Sequence, residues 1–301
     1  MIAALVFGAL LVALYWMAPI FLAGARWPSR APRAAVALWQ AIGVAGALCA
    51  IGAGLSVAVA PAQLTVVGGV EHIAHEAALG RPFQGLGLYA ALGLQLATDV
   101  AFVLLLGLTM TTLRTARGRA RHRRLLDLVA RQSESAPGAL LVDDARAAAY
   151  CLPGLRPRVV VSSGTLRLLS TDELGAVLAH EQGHAHGRHG IVLLPFSSLD
   201  TLLGWVPYAR HARAQVAGLL EMAADDYAER RMGTGPLVSA LIEMSTAVHA
   251  PSCAFSAGGA GVTSRVRRLM EPDHRSRPAA ATAVALATVI VILPALALGA
   301  L

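Results

Sequence analysis

Hydrophobic and polar positions follow two regimes along this chain. Four runs are long, apolar and nearly free of charge, at roughly residues 2–25, 34–60, 86–113 and 279–301. A helix needs about 20 apolar residues to cross the hydrocarbon core of a bilayer, so each run predicts a spanning helix. Between the third and fourth runs, residues 114–278 mix polar and apolar positions over a length sufficient for one compact domain. The expected organisation is three spanning helices in 1–113, a domain in 114–278 and a fourth span in 279–301. The first run resembles a signal peptide at Ala23-Gly24-Ala25, but it has no basic residue ahead of it, and Arg26, Arg30 and Arg33 follow it. It is expected to stay as an uncleaved anchor.

Within 114–278 the pattern changes every few residues. The arginine-rich stretch 114–124 runs into Leu125-Leu126-Asp127-Leu128-Val129, which predicts one helix leaving the membrane. Polar residues 132–138 break it. Short strand-like runs follow at 140–142, 147–152 and 158–162, parted by Asp143-Asp144 and Pro153-Gly154. Ser170 and Glu173 fit a capping box, and Leu174, Val177 and Leu178 give the next helix an apolar face. That helix should run through His184 and end at Gly187 and Gly190. The apolar stretch 191–208 contains Pro195, Asp200 and Pro207 and predicts a helical hairpin beside the membrane. A further helix is expected from Ala212 to Met232, stopped by Gly233-Thr234-Gly235-Pro236.

Composition fits this picture. The chain is 56% hydrophobic and 14% charged, where soluble domains carry about 25% charged residues. All 25 basic residues are arginine, and the formal net charge is +7. The arginines cluster beside apolar runs, so the expected partner is the lipid bilayer, with no direct binding of nucleic acid. Arg26, Arg30 and Arg33 follow the first run, Arg114 to Arg124 follow the third, and Arg275 and Arg277 precede the fourth. The link after the second run holds only Arg81, with Glu71 and Glu76. The positive-inside rule then puts both termini outside and residues 114–278 in the cytoplasm, in a multi-pass protein of the cell membrane. Asp99 lies within the third run, four residues from Gln95, and is expected to face the bundle interior, paired with Gln95 or with a polar group on another helix. Cys49, Cys151 and Cys253 are scattered, which argues against a disulfide framework or a cysteine metal site.

The chemistry is concentrated in His180-Glu181-Gln182-Gly183-His184. Two histidines at i and i+4 share one helical face and can hold one metal ion, with the intervening glutamate as general base for a metal-activated water. A catalytic zinc takes three protein ligands. Two patterns compete for the third. One places a histidine at position 190, which is glycine here, with His189 one residue off. The other takes a glutamate from a second helix, the gluzincin arrangement, and Glu221 fits it. Asp225, four residues beyond Glu221, faces the same way and can orient a ligand histidine. The predicted centre is one Zn2+ per chain on His180, His184 and Glu221, with Glu181 catalytic and Asp225 in support. The fold class is an α-helical membrane protein with four transmembrane helices and an α+β metallopeptidase domain of gluzincin type.

Other residues carry weaker signals. His186 and His189 are expected to be exposed beyond the helix end, and Asp226 and Glu229 to form a solvated face. His211, His249 and His274 have no ligand spacing. His72 and His75, with Glu71 and Glu76, read as an amphipathic surface helix. Tyr227, His211 and Arg265 are equal candidates for stabilising an oxyanion.

Three apolar segments, a domain with His180-Glu181-x-x-His184 and Glu221-x-x-x-Asp225, and a fourth segment resemble the antirepressor metallopeptidases. These are the membrane zinc proteases typified by β-lactam sensor-transducers. Val159-Val160-Val161-Ser162-Ser163-Gly164 and Arg265-Val266-Arg267-Arg268-Leu269 add to the likeness. The resemblance implies regulatory proteolysis and signal transduction, with a winged-helix repressor as protein substrate. The family's extracellular penicillin-binding domain has no counterpart after Leu301, so β-lactam sensing of that kind is not expected. The prenyl-protease and HtpX group shares the zinc motifs, but there the motif follows the second segment, which places it second. A quality-control protease of that type and a non-enzymatic signalling scaffold are the alternative functions. A substrate strand is expected to dock on the edge formed by 147–152.

Overall fold

Apolar composition decides the largest features. The computed structural model describes all residues except 1, 63–64, 81–86, 134, 155, 248–258, 272–274 and 301. Four helices in it are long and apolar enough to cross a membrane: α1 (Ile2–Gly24), α2 (Pro32–Val59), α4 (Leu88–Val129) and α11 (Arg277–Ala300). Between α2 and α4, the His72 and His75 stretch forms the separate helix α3 (Val66–Ala78), with both histidines exposed. His249, His274 and Cys253 lie outside the described residues, as do Leu86 and Arg81.

Helix α2 is the hub, packed by α1, α4 and α11. It approaches α4 through glycines. A Cβ on Gly93 would sit 2.6 Å from the Ala58 nitrogen and the Gly54 carbonyl, and one on Gly54 would sit 2.9 Å from the Ala97 nitrogen. Small residues at such crossings let helix backbones meet where no hydrophobic effect drives association. On α4, Gln95 Nε2 donates to Asp99 Oδ1 at 2.8 Å, as expected, but both residues face outward and not into the bundle as the sequence suggested.

The third span leaves the apolar zone without a break and continues to Val129. Arg119 donates to the Gly190 carbonyl, and Arg123 to the carbonyls of Pro153 and Arg156. Leu126 packs against Leu152 and Val160. One face of this extension thereby holds a four-stranded sheet of β1 (Arg131–Gln132), β2 (Ala139–Val142), β3 (Ala149–Leu152) and β4 (Arg158–Ser162). The spatial order is β1-β2-β4-β3, with β2 and β4 parallel and the outer pairs antiparallel. The strand expected at 147–152 is an edge strand. The polar stretch expected only to break the helix begins at Gln132, which lies in β1 and pairs with Leu140.

After a short helix α5 (Ser163–Leu168) come α6 (Thr171–His186), α7 (His189–Leu203, bent at Leu193), α8 (Pro207–Met232), α9 (Thr234–Ala247) and α10 (Gly259–Met270). Gly187 caps α6, but Gly190 lies inside α7. The left-handed residue that turns the chain is Arg188, at φ 48°. Pro207 starts α8 five residues before the expected Ala212, since proline has no N–H to leave unpaired in a first turn.

The α7–α8 hairpin lies against the long apolar helices. Phe196 of α7 and Tyr208 of α8 share a core with Trp39 and Ile42 of α2. Tyr208 stacks on Tyr15 at 4.6 Å and donates its hydroxyl to the Trp39 carbonyl at 2.6 Å. The link between α1 and α2 is joined to the same end. Arg268 donates to the Ser29 carbonyl, and the Ser276 nitrogen donates to the Arg30 carbonyl.

Candidate metal centre

Helix α6 begins as its sequence requires. Ser170 Oγ accepts from the Glu173 nitrogen, and the Glu173 carboxylate accepts from the Ser170 nitrogen, which completes the capping box. Leu174 and Val177 then enter the core beneath the sheet, while Ala176 and Ala179 meet Ala228 and Leu237. Gly183, between the two histidines, sets the distance to α8. A Cβ there would lie 3.1 Å from the Ala224 Cα and 3.2 Å from the Tyr227 Cβ. Its absence lets α8 come close enough for Glu221 to face His180 and His184.

His180, His184 and Glu221 do converge. The two Nε2 atoms are 3.2 Å apart, His184 Nε2 is 3.3 Å from Glu221 Oε1, and His180 Nε2 is 3.5 Å from Glu221 Oε2. Ligand atoms about 2.0–2.1 Å from a tetrahedral ion are separated by about 3.3 Å, so this triangle fits three vertices around one metal ion. The donor set, two imidazole nitrogens and a carboxylate, also fits. Among the described residues this is the group of three that could hold a metal. No described donor reaches Glu181 Oε1 or Glu221 Oε2 with hydrogen-bond geometry, which leaves acceptor capacity at the centre.

Charge around the centre is buried and ordered. His180 Nδ1 lies 3.0 Å from Asp225 Oδ1, a charge contact that favours a proton on the outer nitrogen and leaves Nε2 facing His184 and Glu221. Asp225, with no exposed surface, receives Arg265 Nε and Nη2 at 2.7 and 2.6 Å. Arg265 Nη1 is also 3.2 Å from Glu221 Oε2. Burial opposes the Glu221 charge, but the His180 contact and Arg265 outweigh it and hold the carboxyl at about 2. Burial also opposes protonation of His180, yet Asp225 and Glu221 raise it to about 9. His184, buried beside that imidazole, falls to about 4.

Glu181 follows His180 in α6, is 2% exposed and takes the backbone N–H of Cys151, a residue that lines the cleft. Burial raises its carboxyl to about 7, with His180 pulling down, Glu221 pushing up and the Cys151 backbone N–H pulling down. A carboxylate poised near neutrality can both take and return a proton.

Two expectations fail here, the exposure of His189 and the solvated face of Asp226 and Glu229, of which the Glu229 side chain is 13% exposed and paired with Arg275. His189 is buried, with its Nδ1 2.9 Å from His184 Nδ1. The left-handed Arg188 folds the chain back after α6 and presses this ring onto the ligand. Asp226 is buried too, bonded to Arg268, because the α10 helix covers that face of α8. His186 is exposed as expected, though inside the last turn of α6. Of the three oxyanion candidates, Arg265 touches the ligand set. Tyr227 lies against His186 and Arg231, and His211 is exposed with its ring on the Pro207 carbonyl.

A cleft of about 850 Å³ opens from the centre. Cys151 of β3 and Gly190 line one side, α8 from Arg213 to Met222 forms the floor, and Gly261, Val262 and Arg265 of α10 close the other side.

Comparison with known proteins points the same way. Residues 114–256 match the model of Peptidase family M48. A segment of 67 residues is 39% identical to a protease HtpX homolog of Thermoplasma acidophilum, over 22% of this chain and 21% of that protein. The chain therefore spans about a fifth of the length of the curated relative it matches. No solved structure matches. This support falls on the group that the sequence motifs placed second, and none falls on the antirepressor subtype. His180, Glu181, His184, Glu221 and Asp225 all lie within the M48 match, which together with the four apolar helices supports a membrane metallopeptidase.

Proposed function

We propose that this protein is a membrane-embedded zinc endopeptidase working on the cytoplasmic side of the cell membrane, with His180, His184 and Glu221 as zinc ligands and Glu181 as general base. The donor triangle of His180, His184 and Glu221, with Glu181 next to His180 in the same helix, carries the reading. When bound, the metal would supply a Lewis acid that polarises the scissile carbonyl and lowers the pKa of water. Glu181 takes the proton of the attacking water and passes it to the leaving amine as the C–N bond breaks. Asp225 and Arg265 keep the His180 ring and tautomer fixed while this happens. The edge strand β3, which runs beside α6, offers backbone groups to an extended substrate.

The cytoplasmic assignment rests on arginine placement. Arg26, Arg30 and Arg33, the 114–124 stretch, and Arg275 and Arg277 all lie at the end of the helical bundle that carries the metal centre. The likeness to an HtpX homolog favours a quality-control protease that takes many unfolded substrates. Regulatory cleavage of a winged-helix repressor remains a motif-based alternative without support from the comparisons.

The test is metal-dependent cleavage of an unfolded protein by detergent-purified full-length chain. Chelation should abolish cleavage, and stoichiometric Zn2+ should restore it. Cleavage that survives complete metal removal would sink the proposal.

A further inference from the structure

The cleft contains a feature that general peptide hydrolysis does not need. Of the α8 residues that line it, Arg213, Ala214, Ala217, Gly218 and Glu221 are spaced to share one helical face, with Leu220 and Met222 beside Glu221. Three of these are small. A Cβ on Gly218 would meet nothing within 4 Å, so the groove is open there, one turn from Glu221. At its far end stands Arg213, whose side chain is 53% exposed and only 3.8 Å from Asp200, a long contact for an ion pair. A guanidinium has five N–H donors, so most remain available to a ligand. The other charged groups on the cleft wall, Glu221 and Arg265, are engaged with each other and with His180 and Asp225.

We propose that Arg213 is a specificity-determining residue that binds a carboxylate of the substrate, with Gly218 opening the groove for a large apolar side chain nearer the scissile bond. This deepens the peptidase reading and rests on it. Arg213 and Glu221 are eight residues apart on one helix, or about 12 Å at 1.5 Å per residue. An extended peptide advances about 3.3 Å per residue. The carboxylate therefore belongs three or four residues from the cut bond. It can come from an Asp or Glu side chain or from a free C-terminus, since both present the same planar acceptor to a forked donor.

The experiment uses detergent-purified, zinc-loaded full-length protein and a fluorescent peptide library. Amidated peptides carry Asp, Glu, Asn, Gln, Lys or Arg at each position, and a matched set has free C-termini. Binding is measured on Glu181→Gln and cleavage on the Glu181 protein, each with Arg213, Arg213→Gln and Arg213→Glu. The expected result is a preference of about three- to tenfold for carboxylate peptides, the range of a partly exposed charge-assisted contact. Arg213→Gln should erase it, and Arg213→Glu should turn it towards Lys and Arg. Preference among amidated peptides assigns a side chain as the source, and preference only in the free-acid set assigns the C-terminus. Gly218→Leu should weaken peptides with a bulky apolar residue beside the bond. An unchanged ranking across the three Arg213 forms overturns the proposal. If nothing is cleaved, the peptidase reading fails, and the binding series still decides the role of Arg213.

Discussion

Arg265 and Asp225 face each other as a fork, with Nε and Nη2 of the arginine 2.7 and 2.6 Å from the two carboxylate oxygens. The same carboxylate lies 3.0 Å from His180 Nδ1, so a residue of α10 can orient the proposed ligand on α6 through α8. Removing one partner of a buried pair costs about 3–5 kcal/mol, because the other charge is left unpaired. Arg265→Met should therefore lower the thermal midpoint strongly. Asp225→Asn should weaken zinc binding about 10–100-fold, the usual effect of losing a partner behind a histidine ligand. Competition with a chromophoric chelator reads the second effect. Wild-type zinc affinity in Asp225→Asn would remove Asp225 from this role.

His189 should matter in the same way on the other ligand. Its Nδ1 sits 2.9 Å from His184 Nδ1, and it can accept the His184 N–H once Nε2 serves the metal. His189→Phe should lower zinc affinity about tenfold or more, and His189→Asn, which keeps an acceptor, should recover part of it. Equal affinity in both variants would show that the contact is packing alone.

The membrane helices make a separate prediction. Gly54 and Gly93 leave no room for side chains between α2 and α4. Gly93→Leu should force the two helices apart and abolish a monodisperse detergent-purified species. By contrast, Gly8→Leu, on a face where a Cβ meets nothing, should purify normally. A well-folded Gly93→Leu protein would contradict the close crossing.

Orientation can be read with an impermeant thiol reagent after the three native cysteines are replaced by serine. Arg121→Cys should label only from the cytoplasmic side and His72→Cys only from outside. The reverse pattern would put the metal centre outside the cell.

The sequence revealed the local parts of the site more readily than the tertiary ones. His180, His184, Glu221 and Asp225 were legible because each pair is spaced at i and i+4 on a helix, and such spacing fixes a shared face. The capping box at Ser170 and Glu173 was legible because its partners lie only three residues apart. Arg265 could not be separated from Tyr227 and His211, since its contact joins residues forty positions apart. His189 was misread because its burial depends on a left-handed arginine, a conformation usually left to glycine. Asp226 was misread because α10 covers a face of α8 that helical periodicity alone leaves open. The apolar runs predicted their helices, but not which glycines would form the crossing.

The most direct test compares the wild-type protein with Glu181→Gln, recording zinc content and cleavage of an unfolded protein for both. The account predicts about one zinc per chain in each, with cleavage lower in the variant by at least about 100-fold, as expected for loss of a general base. A Glu181→Gln protein that cleaves at the wild-type rate, or a wild-type protein that holds no zinc, would contradict it.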